Sequence, residues 1–136
     1  MSRPEYYGNP SGETSDIEVV RAIYAAFDAR DLEGALQYLA PDCELHLRGT
    51  QDRIGREEPY RGHAGMREYF ADVERTWEDL TLFATDFRAI PGAVIVMGHV
   101  EGKIAGEPVK RRSVWTWKVK DGKATECKAA DLGNAA

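Results

Sequence analysis

The sequence predicts an α+β domain with its helices first and an antiparallel sheet after them. Three observations predict it. Apolar residues in the first half recur at spacings of three and four, and those in the second half at two. The tight-turn pairs Pro91-Gly92 and Asp121-Gly122 both fall in the second half. The chain has 136 residues, the size of one ordinary domain.

The elements follow in order. Residues 1–14 are rich in Pro, Gly, Ser and Asn and read as a flexible arm, which leaves 15–136 as a single domain. Ser15-Asp16-Ile17-Glu18 has the S-x-x-E form of a capping box. Ile17, Val20, Tyr24 and Phe27 then lay one apolar stripe along a helix of about 14 residues, ended by Arg30-Asp31. A short second helix from Leu32 to Leu39 stops ahead of Pro41, because the residue before a proline avoids the α region. Cys43 to Leu47 alternates weakly and reads as a short strand, and residues 48–59 are polar and read as a loop. A third helix is expected from about His63 to Trp77, with Met66, Tyr69, Phe70 and Val73 on one face. Strands are expected near Leu80–Ile90, Ala93–Lys103, Val109–Lys120 and Ala124–Ala130, with a looser connection from Gly102 to Pro108. Three helices in this arrangement cover one face of a curved antiparallel sheet.

Composition narrows the function classes. The formal net charge is −5, whereas nucleic-acid binders carry a basic surplus, so no nucleic-acid partner is expected. No apolar run approaches the ~20 residues that span a bilayer. The N-terminus lacks the apolar core of a signal peptide, so a cytoplasmic location is expected, without a membrane partner. Cys43 and Cys127 stand alone and read as reduced, half-buried thiols. His46, His63 and His99 are scattered, with no second ligand at metal spacing beyond the His99–Glu101 pair, so no metal is expected. No dinucleotide fingerprint is present, and no cofactor is expected.

One motif asks for a decision. Residues 60–70 read YRGHAGMREYF, and G-x-x-G flanked by arginine is the loop of KH-type RNA-binding domains. A polar loop precedes Gly62 here rather than a helix, and no strand leads directly into the glycines as a phosphate-binding loop requires. Gly62 therefore reads as the turn into the third helix. The same stretch, with its tyrosine, glycine and aromatic spacing after a helix pair, a short strand and a polar loop, resembles the SnoaL-like branch of the nuclear transport factor 2-like superfamily. So do YAAFDARDLEGAL at 24–36, LAPDCE at 39–44 and VWTWKVKDGK at 114–123. The resemblance covers residues 16–131. It implies a cystatin-like cone, a highly curved antiparallel sheet around three helices, with an apolar interior open at one end. It also implies a homodimer formed through the outer sheet face.

That superfamily holds ketosteroid isomerase, limonene-epoxide hydrolase, scytalone dehydratase, polyketide cyclases and members without chemistry, so the fold does not choose among them. Polar residues inside the cone must. On the strand from Val94 to Glu101, alternation puts His99 and Glu101 on one face with Ile95 and Met97, their bases about 7 Å apart, and because both faces are apolar the one that turns inward is left open. A histidine beside a carboxylate can transfer protons. The segment resembles the R-x-D strand of limonene-epoxide hydrolase, but His99 replaces the arginine. On the last strand, the catalytic aspartate position of epoxide hydrolases and polyketide cyclases falls at Ala129, and Asp131 lies two residues on, on the same face. The steroid-isomerase positions fall at Leu47, at Ile23 beside Tyr24, and at Ser113 or Trp115, and none matches. His46 faces away from the interior if Leu47 faces in, and His63 reads as structural.

The expected catalytic set is therefore His99, Glu101 and Asp131. The expected ligand-binding set is Tyr24, Phe27, Tyr60, Met66, Phe70, Trp77, Met97, Arg111, Trp115 and Trp117, with Arg111 able to neutralise an anionic ligand. The expected function is that of a cofactor-free lyase, isomerase, cyclase or hydrolase acting on a small oxygenated hydrophobic molecule. The alternative is a non-catalytic ligand-binding or interaction domain of the same fold.

Overall fold

The computed structural model describes residues 10–134, with side chains from 15 onward. Four helices and six strands follow in the order α1 (Pro10–Asp28), α2 (Leu32–Leu36), β1 (Leu39–Leu47), α3 (Arg48–Ile54), β2 (Tyr60–Arg61), α4 (Gly62–Thr76), β3 (Glu78–Ile90), β4 (Ala93–Ile104), β5 (Glu107–Lys120) and β6 (Lys123–Asn134). The strands form one open sheet in the order β2-β1-β6-β5-β4-β3. Bulges interrupt the β3–β4 ladder between Ala84 and Asp86 and the β5–β6 ladder between Arg112 and Ser113. An extra residue on one strand bends it, and such bends curl a sheet around its helices. The helices fill the concave face. Ile23, Phe27, Met66, Tyr69 and Val73 from α1 and α4 share one core with Val94, Val96, Trp115, Trp117 and Cys127 from the sheet.

The α+β class with helices against one sheet is present, and the departures are local. The helix α1 begins at Pro10, so residues 10–14 belong to it rather than to the expected arm; the rest of that arm lies outside the described residues. The capping box at Ser15 is therefore inside the helix. Arg30, at φ +54°, ends α1, its guanidinium donating to Phe27 O at 2.7 Å and Leu80 O at 2.6 Å. That arginine ties the helix end to β3. Asp31 caps α2 by accepting from Gly34 N at 3.0 Å. The strand β1 starts at Leu39, so α2 is shorter than expected, and β1 pairs with β6 in parallel, not antiparallel. The expected loose connection from Gly102 to Pro108 is instead a tight turn at Ala105-Gly106, with strand on both sides.

Residues 48–59 do not form one loop. Residues 48–54 are helical and end at Gly55, whose φ of +72° is the left-handed conformation that glycine adopts freely. Gln51 is fully buried beneath them. Its side chain accepts from Leu47 N at 2.5 Å and donates to Glu58 O at 3.1 Å and Arg56 O at 3.3 Å. One amide thus satisfies three backbone groups and fixes the path from β1 to β2.

The glycines of the G-H-A-G stretch are packing glycines. Gly62 has φ +67°, and a Cβ there would sit 2.7 Å from Pro41 O; a Cβ on Gly65 would sit 2.6 Å from Tyr60 C. Beneath them the Tyr60 hydroxyl donates to the buried Asp72 carboxylate at 2.8 Å. The two described cysteines are free and buried, and burial holds both thiols protonated. Among the described residues no helix is long and apolar enough to cross a membrane.

Gly98 faces the β3 bulge, and a Cβ there would lie 1.8 Å from Phe83 O. Gly98→Ala is expected to lower stability by at least about 1–3 kcal/mol, the cost of overpacking against backbone that cannot retreat. Urea denaturation measures it, and an unchanged midpoint would mean that β3 moves aside freely.

Candidate functional site

Parity along β4 and β5 decides which side chains enter the concave face. Val94 and Val96 are fully buried and pair with Trp117 and Trp115, each 4% exposed. The β4–β5 register runs without a break from Ala93↔Lys118 to Ile104↔Glu107. The inward set is therefore Val94, Val96, Gly98 and Val100 on β4, and Arg111, Ser113, Trp115 and Trp117 on β5. Ser113 pairs with Asp131 and Trp115 with Ala129, which brings Ala129 and Asp131 of β6 to the same side.

These faces enclose a recess with two lobes. The inner lobe, about 370 Å³ counting space open to solvent, is lined by side chains that include Tyr24, Phe27, Leu45, Met66 and Trp117. The outer lobe, about 510 Å³ counting the open space at its mouth, is lined by residues that include Thr50, Trp77, Val100, Ser113 and Ala129. Leu47, Tyr69, Leu82 and Trp115 wall both. Gly49, Arg53, Arg112 and Asp131 are exposed at the outer end, so that end meets solvent.

The mouth is charged and the interior is not. Arg111 grips Asp131 with a two-pronged contact, Nε to Oδ2 at 2.9 Å and Nη2 to Oδ1 at 2.9 Å, and its other amine donates to Asn134 at 2.7 Å. Gly133 N adds a hydrogen bond to Asp131 at 2.7 Å. The Arg111 hydrogen bonds hold the Asp131 carboxyl below the usual carboxylate range, with the Gly133 amide and the charges of Arg111 and Arg53 acting in the same direction against partial burial. Arg53 lies 5.1 Å over the Trp77 ring. Among the described residues it pairs with no carboxylate, so the mouth carries a surplus of positive charge. Trp77 Nε1 donates to Thr50 Oγ1 at 3.1 Å, which braces α3 against the start of β3.

Deeper in, the polar atoms are hydroxyls. Trp117 Nε1 donates to the Tyr24 hydroxyl at 3.1 Å. The Tyr24 ring meets Trp115 and Trp117 edge-on, with centroids 5.5 and 5.8 Å away. Burial raises the Tyr24 phenol well above its ordinary pKa and raises that of Tyr69 as well. Both stay protonated at neutral pH.

The residues expected from sequence divide by where these faces put them. Tyr24, Phe27, Met66, Trp77, Arg111, Trp115, Trp117 and Asp131 line the recess. His99 and Glu101 do form a pair, Nε2 to Oε2 at 2.8 Å, but on the outer face, where the His99 ring stacks on Phe83 at 4.5 Å. The sequence leaves open which face of β4 turns inward, and the burial of Val94 and Val96 decides it: the odd-numbered residues go outward, and His99 and Glu101 stay out of the recess. Met97 goes out with them and is 45% exposed. Tyr60 is core, fully buried against α4 and outside both lobes. Phe70 lines a separate surface groove with Arg30 and Glu74. His46 points outward to Glu44 at 2.8 Å, and His63 donates to Leu39 O at 2.9 Å. Among the described residues no His, Cys, Asp and Glu cluster could hold a metal ion.

Thr50, Arg53 and Tyr69 line the recess and were not expected there. Thr50 and Arg53 were hidden by reading 48–59 as loop. The signals present were Gly55 at the helix end and the Arg48–Asp52 pair at i,i+4, which form an ion pair.

The SnoaL-like domain profile matches residues 20–127, and the chain belongs to that family. It is similar to TerC, solved with polyporic acid, at 31% identity over 86% of this chain and 91% of that one, with a TM-score of 0.77. A nuclear transport factor 2-like protein of unknown function from Burkholderia pseudomallei shares 23% identity over 86% and 90%, with a TM-score of 0.78. A provisionally named polyketide cyclase from Xanthomonas campestris shares 18% identity over 86% and 90%, with a TM-score of 0.73. These last two similarities concern the fold. No curated protein matches the chain.

The lowered carboxyl of Asp131 sets a pH dependence. A depressed folded value adds stability above the unfolded aspartate pKa of about 3.9, and that stability is lost as pH falls through the folded value. Asp131→Asn is therefore expected to be less stable than the parent near neutral pH, with the gap closing as pH falls below about 4. Urea midpoints of both proteins across that range measure it. A gap independent of pH would show that the pair contributes nothing through its charge.

Proposed function

We propose that this SnoaL-like protein binds a small, oxygenated, hydrophobic molecule in the recess between its helices and sheet. The observation that carries the proposal is the arrangement of the recess itself. Aromatic and aliphatic side chains wall two adjoining lobes that share Leu47, Tyr69, Leu82 and Trp115, and charge is confined to Arg53, Arg111, Arg112 and Asp131 at one end. Few, convergent polar groups in an otherwise apolar concavity are the usual form of a small-molecule site. The crystallisation of TerC with polyporic acid supports the same ligand class. The proposal keeps a cytoplasmic location and a homodimer through the outer sheet face, where Phe83, Met97 and Leu132 are exposed.

Cofactor-free chemistry on that molecule is the second reading. It is favoured by Asp131, the one carboxylate among the described lining residues, two positions beyond the catalytic position at Ala129. Against it, a carboxylate already held by Arg111 and lowered in pKa is a weak proton acceptor near neutral pH. Binding is the function the geometry supports best.

Calorimetric titration with polyporic acid and with para-acetylbiphenyl carboxylate tests it. Saturable binding of at least one is expected. Ala129→Leu, which fills the outer lobe, is expected to weaken that binding at least about tenfold, equivalent to ~1.4 kcal/mol. His99→Gln, on the outer face, is expected to leave it unchanged. Binding of neither probe, or equal binding to the filled variant, overturns the proposal.

A further inference from the structure

The inner lobe contains an incomplete hydrogen bond. The Tyr24 hydroxyl accepts from Trp117 Nε1 at 3.1 Å, which uses its oxygen and leaves its proton to find an acceptor. Among the described residues none accepts it. Ile23, Phe27, Leu45, Met66 and Leu82 line the lobe with carbon and sulfur, and the remaining polar side chains there, Tyr69 and Trp115, make no hydrogen bond with the Tyr24 hydroxyl. The ring keeps some exposure, but the hydroxyl end is buried. A buried donor without a partner is destabilising, and a ligand atom that accepts from it relieves that cost. The Trp117 N–H also polarises the Tyr24 hydroxyl, which makes it a stronger donor.

The chemistry of the acceptor follows. The phenol keeps its proton at neutral pH because burial raises its pKa, so its ligand partner must be an acceptor. No cation lines the inner lobe, so a negatively charged oxygen there would be buried without a counter-charge. A neutral carbonyl-type oxygen meets both conditions. The opposite end differs. Arg53 lines the mouth, pairs with no carboxylate among the described residues, and stands beside an Arg111 already neutralised by Asp131. An anionic group is favoured there. Trp115, Tyr69, Leu47 and Leu82 wall both lobes, so the body between the two ends is apolar.

We propose that Tyr24 is the hydrogen-bond donor that orients the ligand, and that the ligand class is an apolar molecule with a neutral carbonyl oxygen at its inner end and an anionic group at its outer end, against Arg53. This rests on the reading of the recess as a small-molecule site. Tyr24 and Arg53 are then the specificity-determining residues, one selecting a carbonyl and the other a charge.

Three probes separate these parts: para-acetylbiphenyl carboxylate, its isopropyl analogue lacking the carbonyl, and neutral para-acetylbiphenyl. In the parent protein the acetyl carboxylate is expected to bind about tenfold more tightly than the isopropyl carboxylate, the worth of one buried hydrogen bond. Tyr24→Phe is expected to abolish that preference while binding the isopropyl analogue as the parent does. Arg53→Gln is expected to weaken both carboxylates alike and leave the neutral ketone unchanged. The infrared carbonyl stretch of the bound acetyl probe is expected to be lower in the parent than in Tyr24→Phe, and this readout does not depend on affinity. Thermal melting of the free variants shows whether each is folded.

Binding of the carboxylates with no carbonyl preference, or with a preference and a stretch that survive in Tyr24→Phe, overturns the role of Tyr24 while the recess remains a ligand site. Equal loss of all three probes in Arg53→Gln overturns the role of Arg53. Binding of none of the three in the parent overturns the underlying reading.

Discussion

The pairing of Val94 with Trp117 and Val96 with Trp115 is the constraint on which the rest depends. Side chains alternate along a strand, so a slip of one residue would turn every inward group outward. Burying a valine side chain is worth about 1.5–3 kcal/mol, so exposing both valines alone would cost a large part of a domain's net stability of about 5–15 kcal/mol. Two tryptophans would be exposed with them. The register is held by that cost, and it places the polar residues that do not themselves stabilise it. Arg111, Ser113 and Asp131 face the recess because Trp115 and Trp117 do. His99 and Glu101 face solvent because Val96 does not.

Polarity is graded along the resulting recess. Its mouth gathers charges that remain partly hydrated, where an exposed ion pair contributes little to stability but still sets the local field. Its interior holds hydroxyls and indole N–H groups among apolar walls, where each hydrogen bond is made in a poorly screened setting. In the proposed binding mode a ligand meets charge first and the Tyr24 hydroxyl last. In that mode the two ends select different chemical groups, and the wall between them selects shape.

The short helix α3 links the frame to the mouth. Gln51 anchors its underside through three backbone groups, and Thr50 receives the Trp77 N–H, so the helix is fixed from both sides. This is how Arg53 comes to stand opposite β5 and β6. Intrinsic propensity is poor in a segment containing Gly49 and Thr50, and tertiary hydrogen bonds override it. The segment reads as loop in the sequence for that reason.

The sequence by itself determined the class, the order of helices before strands, the turns at Pro91-Gly92 and Asp121-Gly122, and the family. Each rests on local periodicity, on turn chemistry or on a run of matching residues, all carried by neighbours in the chain. The aromatic character of the recess was legible for the same reason, through Tyr24, Phe27, Trp115 and Trp117. Only the tertiary structure decided the face of His99. Both faces of β4 are apolar in sequence, and their burial depends on α1, α4 and β5 packing against one of them. It alone moved Tyr60 into the core, Phe70 to the edge of a separate groove, Met97 to the surface, and Thr50 and Arg53 to the mouth. It alone paired β1 with β6 in parallel across more than seventy residues of chain. Such placements are set by contacts between distant residues, and no local pattern encodes them.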